Sequence, residues 1–243
     1  MNEDFVVAGP DWVVVLDGAT ARPGVDSGCR HDPAWLVRRL GGALAGRLAA
    51  GAAGAAGAGG GGEPLSELLA GAIEMVCAAH AGTCDLDNPD SPSATVAMLR
   101  RRGDALDWLV LADSPVLVDT GEVLVLRDGR VDRLPSYTVE AVRAARNSPG
   151  GFWVASTRPE AAYEALGGAL PLKEVRRAAV LSDGASRLVE RFAVLGWPDL
   201  LDLLDRDGPA EVIRRTREAE AAEEQAGERG KRYDDATAVM VRF

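Results

Sequence analysis

Short apolar runs separated by glycine, proline and aspartate dominate this chain, and their period changes along it. Phe5–Ala8 and Trp12–Leu16 flank Gly9-Pro10-Asp11, which predicts a β-hairpin, with Gly18 breaking the second strand. From Asp32 to about Ala50 the spacing becomes helical, with Trp35, Leu36, Leu40, Leu44 and Leu48 on one side and Asp32-Pro33 as cap and first turn. Gly51–Gly62 is almost entirely Gly and Ala and predicts a flexible loop. A second helix, starting at Ser66 or at Glu63-Pro64, runs to about Ala81 through Leu68, Leu69, Ile73, Met75 and Val76.

The middle of the chain switches to strand signals. Ala94–Arg100, Ala105–Ala112, Pro115–Asp119, Glu122–Arg127 and Arg130–Leu134 are short runs joined by turn residues, with Asp128-Gly129 the strongest hairpin signal; a meander is expected. Val139–Arg146 predicts one or two helical turns, Trp153–Ser156 a strand, Pro159–Leu166 a short helix and Arg177–Leu181 a strand. Helices are expected at Ser186–Leu195, Pro198–Leu204 and, with a solvated charged face, from Pro209 to about Glu228. Ala236–Phe243 closes the chain as a strand. Antiparallel strands with helices grouped before and after them define an α+β class, in which two helical groups can cover two stacked sheets. No repeat or composition boundary divides the chain, so residues 1–243 read as one domain.

Composition narrows the function. A hydrophobic share of 47% over 243 residues supplies a sizeable core. No apolar run approaches a membrane span, and Met1–Phe5 shows no secretory pattern. The net charge of −10 argues against non-specific nucleic-acid binding, which needs lysine and arginine against phosphates. Cys29, Cys77 and Cys84 are too few and too irregular for a disulfide framework, which predicts reduced thiols and a cytoplasmic protein. Cys77 and Cys84 with His80 between them suggest a soft-metal site, but the spacing suits zinc poorly, and burial of Cys77 in a helix is the favoured reading. The Ala/Gly-rich composition is similar to that of high-GC bacterial proteins.

Four acidic motifs carry the chemistry: N-E-D at Asn2–Asp4, L-D-G at Leu16–Gly18, S-D-G at Ser182–Gly184 and D-D-A-T at Asp234–Thr237, the last three beside strand runs. Each aspartate alone reads as a turn or cap residue. Brought together at the rim of a sheet, such carboxylates would repel unless cations sat among them, which points to a metal site built of oxygen ligands.

In order along the chain, N-E-D, V-V-V-L-D-G-A-T, S-P-S-A-T-V-A-M-L, L-V-L-A-D-S-P-V-L-V, A-V-L-S-D-G-A-S and D-D-A-T-A-V-M-V resemble the metal-dependent protein phosphatases of the type 2C (PPM) family, from Asn2 to Val241. The resemblance implies a four-layer α-β-β-α sandwich of two antiparallel sheets with a binuclear Mg²⁺ or Mn²⁺ centre and room for a third ion. It implies that Asp17 bridges the metals, that the Gly18 carbonyl, Asp183 and Asp234 are ligands, that Glu3 and Asp4 hold metal-bound water, and that Asp113 can bind the third ion. Asp17, Asp183 and Asp234 are then the catalytic set, and a metal-bridging water is the nucleophile. Hard divalent cations that prefer oxygen donors and keep several waters suit this residue set.

The pattern departs from the family in places. Ala19 stands where a histidine can act as general acid, and His31 could supply a proton. Asp235 replaces the usual asparagine, and Ala112 the usual glycine of G-D-S. The family's phosphate-binding arginine upstream of N-E-D has no counterpart in a chain beginning at Met1. Arg22, Arg30 or Arg187 could replace it, and Arg187 lies where many relatives carry a further aspartate. Three functions follow: a phosphoserine/phosphothreonine protein phosphatase, a catalytically weak pseudophosphatase that binds a partner, or a hydrolase of small phosphate esters. The phosphorylated protein or ester is the expected partner, with no nucleic acid or membrane. Trp35, Trp108, Trp153 and Trp197 read as packing residues, and Ser91-Pro92-Ser93 as the start of a strand without chemistry.

Overall fold

A computed structural model describes residues 2–19, 24–55, 62–80, 82–223 and 231–243. The opening hairpin is β1 (Asp4–Ala8) and β2 (Trp12–Ala19), followed by helices α1 (Pro33–Ala55) and α2 (Leu65–His80). β3 (Ser93–Arg102) and β4 (Ala105–Leu111) extend the hairpin, and β7 (Leu166–Pro171) completes a five-stranded antiparallel sheet in the order β1-β2-β3-β4-β7. β5 (Val116–Asp119), β6 (Val123–Leu126), β8 (Arg177–Leu181) and β9 (Ala238–Arg242) form the second sheet, ordered β6-β5-β8-β9. The short α3 (Val139–Ala145) precedes β7; α4 (Asp183–Glu190), α5 (Trp197–Asp207) and α6 (Pro209–Ala222) lie between β8 and β9.

Strand alternation builds the layers. On β2, Val14 and Leu16 pack on Leu40, Leu44 and Ile73 of α1 and α2, while Val13 and Val15 meet Val116, Val118 and Val180 of the second sheet. On β8, Ala178 and Val180 face that same inter-sheet layer, and Ala179 and Leu181 pack under α4–α6 with Leu188, Leu200 and Leu204. The result is the α-β-β-α sandwich in the α+β class. Each fully buried leucine in these layers contributes roughly 1.5–3 kcal/mol.

Several expectations are corrected. Gly18 does not break β2; it lies within the strand, which ends at Ala19. Helix α1 runs through Gly51–Ala55, because alanine-rich sequence propagates a helix already anchored by leucines, so the loop expected from Gly51 does not start there; residues 56–61 lie outside the described residues. The strand runs do not make one meander: the chain crosses from the first sheet to the second at Ala112–Pro115. Asp128-Gly129 makes no hairpin and Arg130–Leu134 no strand. Asp128 accepts both the Arg130 N–H and its guanidinium, and Val131–Arg133 forms a 3-10 turn. Trp153–Ser156 contributes only a bridge, Ala94 to Ala155. Pro159–Glu164 is a 3-10 helix, and β7 was missed because glycine and proline mask an edge strand.

Candidate metal centre

The inter-sheet face loses its apolar character at one end of the sandwich, and there the acidic motifs gather. Continuing the β2 alternation puts Asp17 on the same face as Val13 and Val15, between the sheets. Asp4 and Thr95 are its cross-strand partners on β1 and β3, so all three side chains share that face. From the second sheet, the same parity brings Ser182 and Thr237 to the same place, immediately beyond β8 and before β9.

Ser182 joins the sheets. Its hydroxyl donates to Asp4 Oδ2 at 2.8 Å and accepts the Thr237 N–H at 2.9 Å, while its own N–H donates to the Thr237 carbonyl at 2.9 Å. The hydroxyl is thereby taken from the N-cap of α4, which it does not cap. Asp183 opens that helix, earlier than the helix start expected at Ser186. Gly184 allows the closest backbone approach of the site: a Cβ there would lie 1.8 Å from the Asp235 carbonyl oxygen. Asp235 accepts the Glu3 N–H at 2.7 Å, and Gly18 N–H donates to the Glu3 carbonyl at 3.1 Å, which ties the N-E-D segment to both β2 and the D-D-A-T loop. A side chain at Gly18 would strike Glu3 and Pro33.

The electrostatics record the crowding. Burial, reinforced by the charges of Asp183, Asp4 and Asp113, holds the Asp17 carboxyl well above the usual carboxylate range, and Asp17 and Asp183 hydrogen-bond to each other. Asp183 is raised by burial and by Asp234. Burial pushes Asp4 up to about 6, against hydrogen bonds from Ser182 and Thr237, and pushes Asp113 up to about 7 with the Asp183 charge adding to it. Asp4 Oδ1 is buried with no hydrogen-bond partner among the described residues. An orphaned buried carboxylate oxygen, two carboxyls in contact and a set of oxygen donors are what hard divalent cations require, so the residues fit such a centre.

These shifts set a pH dependence for the metal-free protein. Asp4 and Asp113 hold a proton more tightly folded than unfolded, so their contribution is fully present below the ordinary carboxylate pKa of 3.8 and is lost as pH rises through about 6 and 7. The melting temperature in EDTA should be higher at about pH 5 than at about pH 7.5, and Mn²⁺ added at the higher pH should restore it. Thermal denaturation across this range, with and without the cation, checks the sign.

Asp113 arrives through an unusual backbone. Ala112 is buried with φ 68°, in the left-handed region. That conformation costs an L-residue about 1–2 kcal/mol, which is the physical reason for a glycine before this aspartate. Ala112→Gly should raise stability by about 0.5–1 kcal/mol after the extra freedom of the unfolded chain is subtracted, measurable by urea denaturation. Ser114, just after, meets Thr95 at 2.5 Å and fixes the crossover to β3.

Asp234 differs from the others. Its Oδ2 accepts from Arg187 at 2.7 Å, and Lys231 lies 3.5 Å from its Oδ1 and 3.4 Å from Glu3. Arg187 is 6% exposed, and its guanidinium also binds Glu220, which is fully buried, at 2.7 Å. Arg187, expected to face substrate phosphate, is instead committed to carboxylates, because a buried guanidinium must be neutralised. Arg22 lies outside the described residues. Arg30 is exposed beside the Cys84 thiol. His31 does not join the acidic group: its ring stacks on Trp35 at 3.9 Å and its Nδ1 lies 3.4 Å from Cys84 Sγ.

Sequence reading missed Arg146. A cavity of about 240 Å³ beyond the end of β2 is lined by Ala19, His31, Pro33, Asp90 and Arg146, among others. The Arg146 guanidinium is largely buried, which lowers its proton affinity; Nη1 donates to the Pro89 carbonyl at 3.3 Å and Nε has no partner among the described residues. Nothing in the local sequence sets this arginine apart from its neighbours.

Fold and site together have the architecture of the type 2C (PPM) phosphatase family. The chain belongs to the Protein phosphatase 2C family, whose sequence profile matches residues 3–228. It is similar in fold to the PPM Ser-Thr phosphatase MsPP from Mycobacterium smegmatis, solved with cacodylate, at 19% identity and TM-score 0.57, covering 100% of this chain and 92% of that one. Stp1, a serine/threonine phosphatase from Staphylococcus aureus, aligns at 12% identity and TM-score 0.58, covering 100% and 89%. The catalytic domain of PstP, solved with two manganese ions, aligns at 18% identity and TM-score 0.55, covering 100% and 91%. No curated protein is significantly similar in sequence. Among the described residues, no helix is long and apolar enough to cross a membrane.

Proposed function

We propose that this protein is a Mg²⁺- or Mn²⁺-dependent phosphatase of phosphoserine and phosphothreonine in proteins. The observation that carries the reading is the convergence of Asp4, Asp17, Asp113 and Asp183, drawn from distant segments, on one end of the inter-sheet layer, with Asp17 and Asp183 in contact. Asp17, the Gly18 carbonyl, Asp183 and Asp234 would hold two cations, Glu3 and Asp4 would hold their waters, and Asp113 would serve a third. Bound there, the cations would supply a water acidified to near neutrality and would neutralise charge on the phosphoryl oxygens. The manganese of PstP and the cacodylate of MsPP support this reading by similarity.

The chain's own residues orient the reaction. Ser182 and Thr237 fix the Asp4 carboxylate, and Gly184 lets the Asp234-Asp235 loop close on α4. Arg146 has free guanidinium hydrogen-bonding capacity beside the cavity at Ala19 and serves as the cation for substrate phosphate, in place of Arg187. Ala19 offers no proton, so the leaving alkoxide takes its proton from solvent.

The second reading, a catalytically weak pseudophosphatase, is favoured by one observation: Arg187 and Lys231 already neutralise Asp234 and so compete with a cation. An assay of Mn²⁺-dependent phosphate release from a phosphothreonine peptide and from p-nitrophenyl phosphate tests both. Peptide turnover is expected, with Arg146→Met raising KM roughly tenfold or more, on the scale of a lost charge-assisted hydrogen bond of about 1.5–3 kcal/mol. No turnover by the folded, metal-loaded protein would establish the binding module, and turnover of the small ester alone would establish the ester hydrolase.

A further inference from the structure

Outside the acidic centre, one cluster of ligating side chains has no part in phosphate chemistry. Cys29 and His31 lie in the segment between β2 and α1; His80 is the last residue of α2 and Cys84 follows in the next turn. Their ligand atoms, two thiol sulfurs and two imidazole nitrogens, all lie within 4.8 Å of one another. Cys29 Sγ is 3.1 Å from Cys84 Sγ, 3.6 Å from His31 Nδ1 and 4.0 Å from His80 Nδ1, and Cys84 Sγ is 3.4 Å from His31 Nδ1.

We propose that Cys29, His31, His80 and Cys84 form a structural zinc site that clamps the β2–α1 segment to the end of α2.

A tetrahedral zinc with Zn–S of about 2.3 Å and Zn–N of about 2.0–2.1 Å spaces its ligands about 3.3–3.8 Å apart. Two of the three sulfur–nitrogen distances fall in that range and the third is 4.0 Å; closing the shell needs the sulfurs to separate by less than an ångström and the wider pairs, all within 4.8 Å, to draw in. Two segments each give a short chelating pair, C-x-H and H-x3-C, which is how a zinc site joins remote parts of a fold. The composition matters as well: two thiolates and two imidazoles select zinc over magnesium, calcium or manganese, which prefer oxygen. Zinc would displace the two thiol protons and leave a neutral Cys₂His₂ site, which a half-buried position tolerates.

The surroundings fit a ligand better than a packing role. His80 is 1% exposed, with Nδ1 toward the thiols and Nε2 lacking a partner among the described residues. A metal bond at Nδ1 offsets part of the cost of burying an imidazole whose Nε2 is unpaired. Trp35 backs both rings, at 3.9 Å from His31 and 4.4 Å from His80, and supplies the apolar shell of a closed site. Cys77 stands apart, its thiol donating to the Thr157 carbonyl at 3.3 Å. The pairing suggested by sequence, Cys77 with Cys84, is therefore replaced by Cys29 with Cys84, and the second histidine comes from the far segment.

The clamp has a position as well as a chemistry. His31 also lines the cavity at Ala19, so the zinc would fix one wall of the space next to the acidic centre.

Elemental analysis of the purified, reduced protein after dialysis against metal-free buffer should find one zinc per chain. Cys29→Ser and Cys84→Ser should lose it, whereas Cys77→Ser and Asp17→Asn should keep it, which separates this site from the acidic one. Cobalt titrated into the metal-stripped wild type should give thiolate-to-cobalt charge-transfer absorption and the strong visible bands of a tetrahedral ion. That readout needs no variant to fold. Absence of the cobalt–thiolate absorption in reduced protein, or intact-mass and thiol titration showing a Cys29–Cys84 disulfide in protein purified without reductant, would overturn the assignment.

Discussion

Replacing Asp17 by asparagine should abolish Mn²⁺-dependent phosphate release, and Asp183→Asn should do the same. The two carboxyls touch, and each is pushed toward protonation by burial and by the charge of its acidic neighbours. That configuration stores the attraction for a cation. A metal clamp on a phosphoryl oxygen contributes several kcal/mol to the transition state, and about 4 kcal/mol corresponds to roughly a thousandfold in rate. A fall of about three orders of magnitude or more in kcat/KM is expected for either variant, with cation affinity reduced in calorimetric titration. The same substitution removes repulsion from the metal-free fold, so Asp17→Asn should melt higher than wild type in EDTA at neutral pH. Lost activity accompanied by a lower melting temperature would mean that the aspartate serves the fold, and undiminished turnover would remove Asp17 from the centre.

Arg187→Met should cost the protein about 3 kcal/mol, the scale of leaving one member of a buried ion pair without its partner. Glu220 has no solvent exposure and would keep, among the described residues, only Arg217, which reaches its other oxygen at 2.5 Å. At roughly 2–4 °C per kcal/mol for a chain of this size, the melting temperature should fall by about 6–12 °C. Pairing the change with Glu220→Leu should recover most of the loss, since an apolar replacement of a buried pair is close to neutral. Asp234 also gains from the substitution: released from the 2.7 Å contact, its carboxylate should bind Mn²⁺ more tightly. Weaker Mn²⁺ binding by a folded Arg187→Met would show that the arginine orients Asp234 rather than competing for it.

The layers were legible wherever alternation was clean. Val13–Leu16 and Ala178–Leu181 assign each side chain to a layer without further information, and Asp17 and Ser182 follow by continuing the count. The acidic residues were legible as an ordered set, through resemblance more than through any local property. What escaped depended on tertiary context. The edge strand Leu166–Pro171 carries glycine and proline where only backbone pairing to β4 defines it. Asp128-Gly129 has hairpin composition, but a side-chain bond from Arg130 closes the turn on itself. Arg187 stands out in sequence by its place after S-D-G and Arg146 does not; burial against Glu220 decides one, and the cavity at Ala19 decides the other. Cys29, His31, His80 and Cys84 span two segments whose meeting no local spacing announces.

The seam that Ser182 makes between Asp4 and Thr237 has a consequence for biogenesis. Its participants lie on β1, just after β8 and just before β9, so a nascent chain assembles this end of the sandwich only when β9 emerges from the ribosome and docks. Until then β1 and β2 can pair, yet their carboxylates have no opposing half with which to enclose a cation. Divalent metal bound there would thus reward the closed sandwich alone, acting as a check that the two sheets have met.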